Sequence, residues 1–235
     1  MGAEQWRGAP SLEAISGQDW DLYLSANGQS ADHLYASGQL VDQPVADETF
    51  SRYRFDPSED NWPADRTSPW SSGNNYSQHA DAFRPNQLFF HSAPLTEART
   101  LCGEMSFEAD VSIDVPDTDI VVQVFEITRN NHVRWLGSDY RRARFRNSFE
   151  TEQFATPGAI ERWRFDRFWW TCRELEAGSH LRLVIGPVDT PDLHKNDHSG
   201  GSIQATDYRS ARPAEVRVHH SANHPALLRL PILAN

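Results

Sequence analysis

From Met105 to Val115 the chain alternates without a break. Met105, Phe107, Ala109, Val111, Ile113 and Val115 are separated by Ser106, Glu108, Asp110, Ser112 and Asp114. A helix needs an apolar period near 3.6, so a sustained period of two makes this a strand with one dry face and one wet face. Pro116 then ends the ladder, because it has no N–H to donate. Asp117-Thr118-Asp119 supplies a turn, and a second apolar run, Ile120 to Ile127, returns. Asn130-Asn131 turns the chain again. Asn tolerates φ > 0, so the pair fits a two-residue hairpin. An antiparallel core with the remaining chain wrapped around it is the expectation.

The flanking segments read as more strands. Candidates are Asp21 to Ser25, Gly38 to Val41 after the Asn27-Gly28 turn, and the alternating piece Tyr53-Arg54-Phe55. Leu88-Phe89-Phe90 is continuously apolar, which predicts burial on both faces. Tyr140 to Arg146 predicts a strand with Arg142, Arg144 and Arg146 on one face. Ile160 to Trp170 predicts another, with Trp163, Phe165 and Trp169 facing one way and Phe168 and Trp170 the other. In His180 to Ile185, residues Leu181, Leu183 and Ile185 point together. Val216 to His219 and Leu227 to Leu233 close the chain. This amounts to nine or ten strands, with helix limited to single turns such as Ser11 to Ile15. Fourteen Pro and thirteen Gly cut the sequence into short pieces, the punctuation of a β-sandwich with long loops. One all-β domain of the jelly-roll kind over residues 1–235 fits best. A chain of this length buries roughly 70–75% of its unfolded surface, so it needs no disulfide staples.

The formal charge of −11 argues against nucleic acid as a main partner, since phosphate binding needs a net cationic face. No run reaches the ~18–20 apolar residues of a membrane helix, and residues 1–20 lack the pattern of a signal peptide. A cytoplasmic protein with Cys102 and Cys172 as two reduced thiols is therefore expected, with a single disulfide as the alternative.

Four groups of residues bear on chemistry. No G-x-S-x-G elbow occurs, and no βαβ pattern exists to carry one, so the chain is expected to be catalytically inert. Asp192, His194, Asp197 and His198 share one loop, and His219, His220 and His224 another. Zinc needs such ligands on rigid elements, so these read as solvated or structural, and neither metal nor cofactor is expected. The arginine run reads as a wet face paired with acidic neighbours such as Asp110, Asp114, Glu150 and Glu152. The candidate interface residues are Trp62 and Trp70, because tryptophan in a long polar loop is costly to leave exposed, and Phe168 and Trp170, because a strand apolar on both faces needs cover on both.

Several segments together resemble one family. Tyr53-Arg54-Phe55-Asp56-Pro57, Leu88 to Leu95 (LFFHSAPL) and Gly103 with the alternating strand come first in order. Asp117-Thr118-Asp119, Gly137 with Arg141 to Arg146, Gly178 to Leu183 and His224-Pro225 to Pro231 follow. In order and spacing they resemble the C-terminal, non-catalytic domain of the X-Pro dipeptidyl-peptidase and cocaine-esterase group of serine hydrolases. Ser179 stands where that family often has His, and Asn130-Asn131 replaces its usual Asp-Gly turn. The resemblance implies a jelly-roll, galactose-binding-like sandwich. It also implies a partner, an α/β-hydrolase catalytic domain ahead of residue 1 that carries the Ser-His-Asp triad, with residues 1–20 as the lead-in. This domain would pack on that partner and shape its substrate cleft. Separated from it, the exposed apolar surface can drive self-association into homo-oligomers. The alternative is a stand-alone module that binds carbohydrate through its aromatics.

Overall fold

The computed structural model describes residues 6, 8–11, 13–15, 18–46, 50–59, 86–189, 193–205 and 208–233. Thirteen strands make up the described fold, in chain order β1 (Gln18–Ser25), β2 (Gly38–Val41), β3 (Phe50–Phe55), β4 (Leu88–Ser92), β5 (Arg99–Gly103), β6 (Ser106–Ile113), β7 (Asp119–Ile127), β8 (Val133–Arg142), β9 (Glu161–Phe165), β10 (Thr171–Leu175), β11 (His180–Pro187), β12 (Ala214–His219) and β13 (Leu227–Ile232). Among the described residues helix is confined to single 3-10 turns. The all-β sandwich expected from the alternation is what forms.

The strands are joined edge to edge in the order β3-β12-β6-β13-β1-β2-β4-β11-β7-β8. β9 adds to β6, and β5 joins β10 to β13. The alternating strand β6 is the hub. β12 and β13 lie in line along it, Val216 to His219 opposite Ile113 to Asp110 and Leu227 to Arg229 opposite Glu108 to Ser106. β9 also pairs with it, Phe165 opposite Phe107. β1 pairs antiparallel with β2, and β2 in turn pairs parallel with β4. The Asn27-Gly28 turn that follows β1 has φ of 50° and 73°.

Alternation fixes which side chains enter the core. Phe107, Ala109, Val111 and Ile113 of β6, Ile120, Val122 and Val124 of β7, and Leu181, Leu183 and Ile185 of β11 belong to one buried cluster. Trp163 and Phe165 join it from β9, with the Phe165 ring 5.9 Å from that of Phe107. Leu88, Phe89 and Phe90 are all buried, and Phe89 belongs to a second cluster with Phe125, Ile127, Val133 and Val184. That cluster is the second apolar face foreseen for β4.

Five expectations are corrected. Thirteen strands replace nine or ten: β5 and β10 form from short mixed segments that carry no long apolar pattern, while Val133 to Arg142 runs as one strand through Gly137. The Asn130-Asn131 hairpin has a three-residue loop: Thr128 N–H donates to the His132 carbonyl at 2.9 Å, and Asn131 sits at φ 60°. A type I turn closed by one left-handed residue matches strand twist as a three-residue connection. The arginine strand ends at Arg142, where Ala143–Phe145 coil into a 3-10 turn. The aromatic strand ends at Phe165, and residues 166–170 form a connection to β10. Finally, Cys102 and Cys172 are not two reduced thiols. They are register partners on β5 and β10, 4.0 Å apart at Cα, and are disulfide-bonded.

Candidate functional site

Hydroxyl–imidazole pairs are the first place to look for catalysis. Ser51 Oγ lies 2.9 Å from His220 Nε2, and Ser112 Oγ lies 3.0 Å from His219 Nε2. Both serines are buried. The neighbouring carboxylate, Asp110, engages His224 Nδ1 at 2.8 Å rather than His219. A nucleophile needs an exposed Oγ, a base on it and an orienting group behind the base, and these pairs do not assemble that relay. They tie strands together, Ser51 of β3 and Ser112 of β6 to the end of β12.

The second histidine loop is likewise part of the scaffold. His198 Nδ1 lies 2.6 Å from the Arg212 carbonyl, which can only accept, so that nitrogen carries the proton. His198 Nε2 is then left to accept from Thr118 Oγ1 at 3.2 Å. Burial holds the His198 pKa below the ordinary histidine value. Asp197 accepts from the Ser199 N–H and hydroxyl, His194 is exposed, and Asp192 lies outside the described residues. Among the described residues no group of three His, Cys, Asp or Glu side chains is placed to hold a metal ion.

The arginines are paired with carboxylates, but through other partners and in a drier setting than expected. Arg142 makes a two-pronged contact with Asp119, 2.7 Å on each side, across directly opposed positions of β7 and β8. Arg144 donates through Nε to Asp117 at 2.8 Å and through its backbone N–H to the other carboxylate oxygen at 2.9 Å. Arg146 reaches Glu161. Of the four acids expected, only Glu152 takes part, 3.5 Å from Arg144. Asn196 Nδ2 bridges Asp117 and Asp119, and Asn196 Oδ1 accepts from the His198 N–H. The Asp117-Thr118-Asp119 segment that leads into β7 is therefore a buried polar hub that pins the 193–201 loop to the ends of β7 and β8.

Exposed apolar surface is concentrated elsewhere. Of eight large hydrophobic side chains left exposed among the described residues, five fall in the two connections flanking β9. Phe149, Phe154 and Ile160 lie between β8 and β9, and Trp169 and Trp170 between β9 and β10. Trp169 is 65% exposed and Trp170 39%. Charges brace both connections. The Arg141 and Arg167 guanidiniums sit 5.0 and 4.2 Å from the Phe149 ring centre. Arg141 also bridges Asp139 and Asp166 at 2.8 and 2.6 Å. The Arg167 N–H donates to Asp139 Oδ2, and Thr171 Oγ1 to the Leu136 carbonyl.

Among the candidate interface residues, Trp170 is exposed as expected. Trp62 and Trp70 lie outside the described residues. Phe168 is corrected: it is 2% exposed and belongs to the core. Trp169, expected on the same strand face as Trp163 and Phe165, is the most exposed of the group. The parity changes because the strand ends at Phe165, and alternation holds only while a ladder persists. Phe149 and Phe154 were not singled out. The signal was present: each is an isolated aromatic in the polar, Pro-Gly-containing run 146–160, where no periodic pattern exists to bury it.

Comparison with known proteins agrees with this architecture. The family model of the X-Pro dipeptidyl-peptidase C-terminal non-catalytic domain matches residues 1–229. Cocaine esterase from Rhodococcus sp. (strain MB1 Bresler) is 22% identical, over 99% of this chain and 41% of that protein. The crystal structure of an aminopeptidase from a marine sediment Thaumarchaeota archaeon superposes with a TM-score of 0.84 at 20% identity, over 99% of this chain and 39% of the other. An α-amino acid ester hydrolase superposes with a TM-score of 0.77 at 23% identity, over 91% of this chain and 36% of the other. The chain thus spans about two-fifths of the length of the relatives it matches. Sequence order, fold and extent agree: the chain belongs to the family of the X-Pro dipeptidyl-peptidase C-terminal non-catalytic domain.

Proposed function

We propose that this chain is the accessory domain of a serine hydrolase with an α/β-hydrolase catalytic domain, and that it seats on that domain and walls part of its substrate cleft. The observation that carries the proposal is the gathering of Phe149, Phe154, Ile160, Trp169 and Trp170 on two adjacent connections. Exposed apolar side chains scattered singly need no explanation, whereas here the Arg167 guanidinium on the Phe149 ring ties the first connection to the one that carries Trp169 and Trp170, and exposed aromatic surface concentrated in this way marks a contact surface. Aromatics held by arginine are the side chains that dominate interface energetics. The extent of the match supports the reading, since the relatives carry a further three-fifths of their length beyond the matched part. The parent would cleave an ester, an amide or an X-Pro peptide, a preference set by residues outside this chain. The Cys102–Cys172 bond favours an oxidising compartment over the cytoplasm, because such bonds persist where thiols are not kept reduced.

Two experiments test this. Incubation of the chain with a fluorophosphonate probe is expected to label no serine, and stoichiometric labelling of one would overturn the non-catalytic assignment. Expression with the hydrolase domain encoded in the same gene is expected to give one joint thermal transition. Trp169→Ser with Trp170→Ser should split that transition in two, and a transition left unchanged would remove the seat from this surface. A second reading, glycan binding, is favoured only by the exposure of Trp169. Calorimetry against a panel of sugars tests it, with no heat of binding expected.

A further inference from the structure

The disulfide occupies an unusual place in the sheet. Among the described residues β10 pairs with β5 and with no other strand, and β5 reaches the main sheet through the pair Leu101–Ile232 and the Leu233 N–H to Thr100 carbonyl bond. The Cys102–Cys172 bond ties these two peripheral strands at directly opposed positions. Its two residues differ in access: Cys102 is 1% exposed, whereas Cys172 is an exposed residue. Cys172 also lies two residues after Trp170, so the bond sits at the root of the aromatic connection.

We propose that this bond is a thiol-exchangeable clamp on β10, and that a dithiol reductant opens it to loosen the strand and the Asp166–Trp170 connection it anchors. The reductant thiolate reaches the sulfur of Cys172, the exposed residue, and forms a mixed disulfide with it. The Cys102–Cys172 bond breaks, and Cys102 leaves with the electron pair and takes up a proton. The second thiol of the reductant then displaces Cys172, which is protonated in turn. Two electrons and two protons have passed from the dithiol, which ends as a cyclic disulfide. β10 stays attached by its backbone bonds to β5, by the buried Leu175, and by Thr171 Oγ1 on the Leu136 carbonyl. The expected result is therefore a locally mobile edge and not an unfolded domain, as edge elements with few partners open at lower cost than the core. That the loosened connection is a docking surface rests on the proposed function; the clamp itself does not.

Hydrogen exchange read by mass spectrometry on the chain alone tests the clamp. Dithiothreitol is expected to speed exchange in segment 166–175 at least tenfold more than in β7 and β11, and to expose Cys172 to iodoacetamide. Cys172→Ser without reductant should reproduce the faster exchange, and the Cys102→Ser, Cys172→Ser double variant should be indifferent to dithiothreitol. Equal acceleration in all strands, or a bond that resists dithiothreitol in the folded chain, would overturn the proposal. Loss of docking with a normal exchange response would instead count against the proposed function alone.

Discussion

Replacing Asp117 with Ala should be the most damaging single change to the polar hub, and its cost can be built from the contacts. The Asp117 side chain is fully buried and accepts from three donors, the Arg144 N–H, Arg144 Nε and Asn196 Nδ2. Stripping a partner from a buried ion pair costs about 3–5 kcal/mol, because the remaining charge is uncompensated. Arg144 would keep the Gly201 carbonyl at 2.9 Å and the half-exposed Glu152 at 3.5 Å, which favours the lower end, about 3 kcal/mol. Asn196 keeps Asp119 at 3.0 Å, so its loss is small. The Arg144 N–H loses its acceptor, which adds about 1 kcal/mol. The total is about 4 kcal/mol, against a net stability of about 5–15 kcal/mol for a folded domain. Urea unfolding followed by tryptophan fluorescence should show the midpoint falling by about 1.3 M, taking an m value of about 3 kcal/mol/M. Removing Arg144 as well should recover part of the loss, with a coupling of at least about 2 kcal/mol in the double-mutant cycle. A single-mutant cost below about 1 kcal/mol, or strict additivity, would refute the reasoning.

Other consequences are as direct. Phe168→Ala should cost about 3–5 kcal/mol in the isolated chain, as a core aromatic, while Trp169→Ser should stay within about 0.5 kcal/mol; thermal melts that rank them the other way would return Phe168 to the surface. Acid should destabilise the fold through its buried neutral histidines. Burial first, then the Arg182 cation and His180, push His91 down to about 3. The unfolded chain therefore binds a proton near pH 6.5 that the folded chain refuses, and stability falls as pH drops from about 6.5 toward 3. His91→Gln should remove about one proton from that slope in pH-resolved denaturation, and an unchanged slope would contradict the assignment. The Arg182 Nε donates to His91 Nε2 at 2.8 Å, so His91 Nδ1 carries the proton toward Ser37, a tautomer that nitrogen-15 NMR reads. Gly103 has φ of 145°, and an added Cβ would lie 2.7 Å from the Pro231 ring. Gly103→Ala should cost at least about 1–3 kcal/mol, and a melt within error of the parent would show that the β5 end can shift.

Legibility in the sequence followed the length of each pattern. Eleven residues of alternation at Met105 to Val115 announced β6 and its inward face correctly, because a period of two can be satisfied only by a ladder. The same rule misassigned Trp169 and Phe168, since it was carried past Phe165, where pairing with β6 stops. Arg144 and Arg146 failed for the same reason: Arg144 lies in a 3-10 turn and Arg146 caps it, so they reach inward to Asp117 and Glu161 and not along a wet face. The contacts that decide these cases lie far apart in sequence, such as Asn196 on Asp117 and Arg162 on the Pro225 carbonyl.

By itself the sequence determined the class of fold, the hub strand, the turn at Asn27-Gly28 and the family, because each is written in local runs of residues, whereas the return expected after Asp117-Thr118-Asp119 does not pair with β6: the bend falls at Asp114 to Pro116, and β7 joins β8 and β11. Only the tertiary structure decided that Cys102 meets Cys172, that Arg144 and Arg146 are buried, and that Phe149, Trp169 and Trp170 are left exposed. Those outcomes depend on which strand lies beside which, and pairing between distant segments is selected by packing of the whole core rather than by any local pattern.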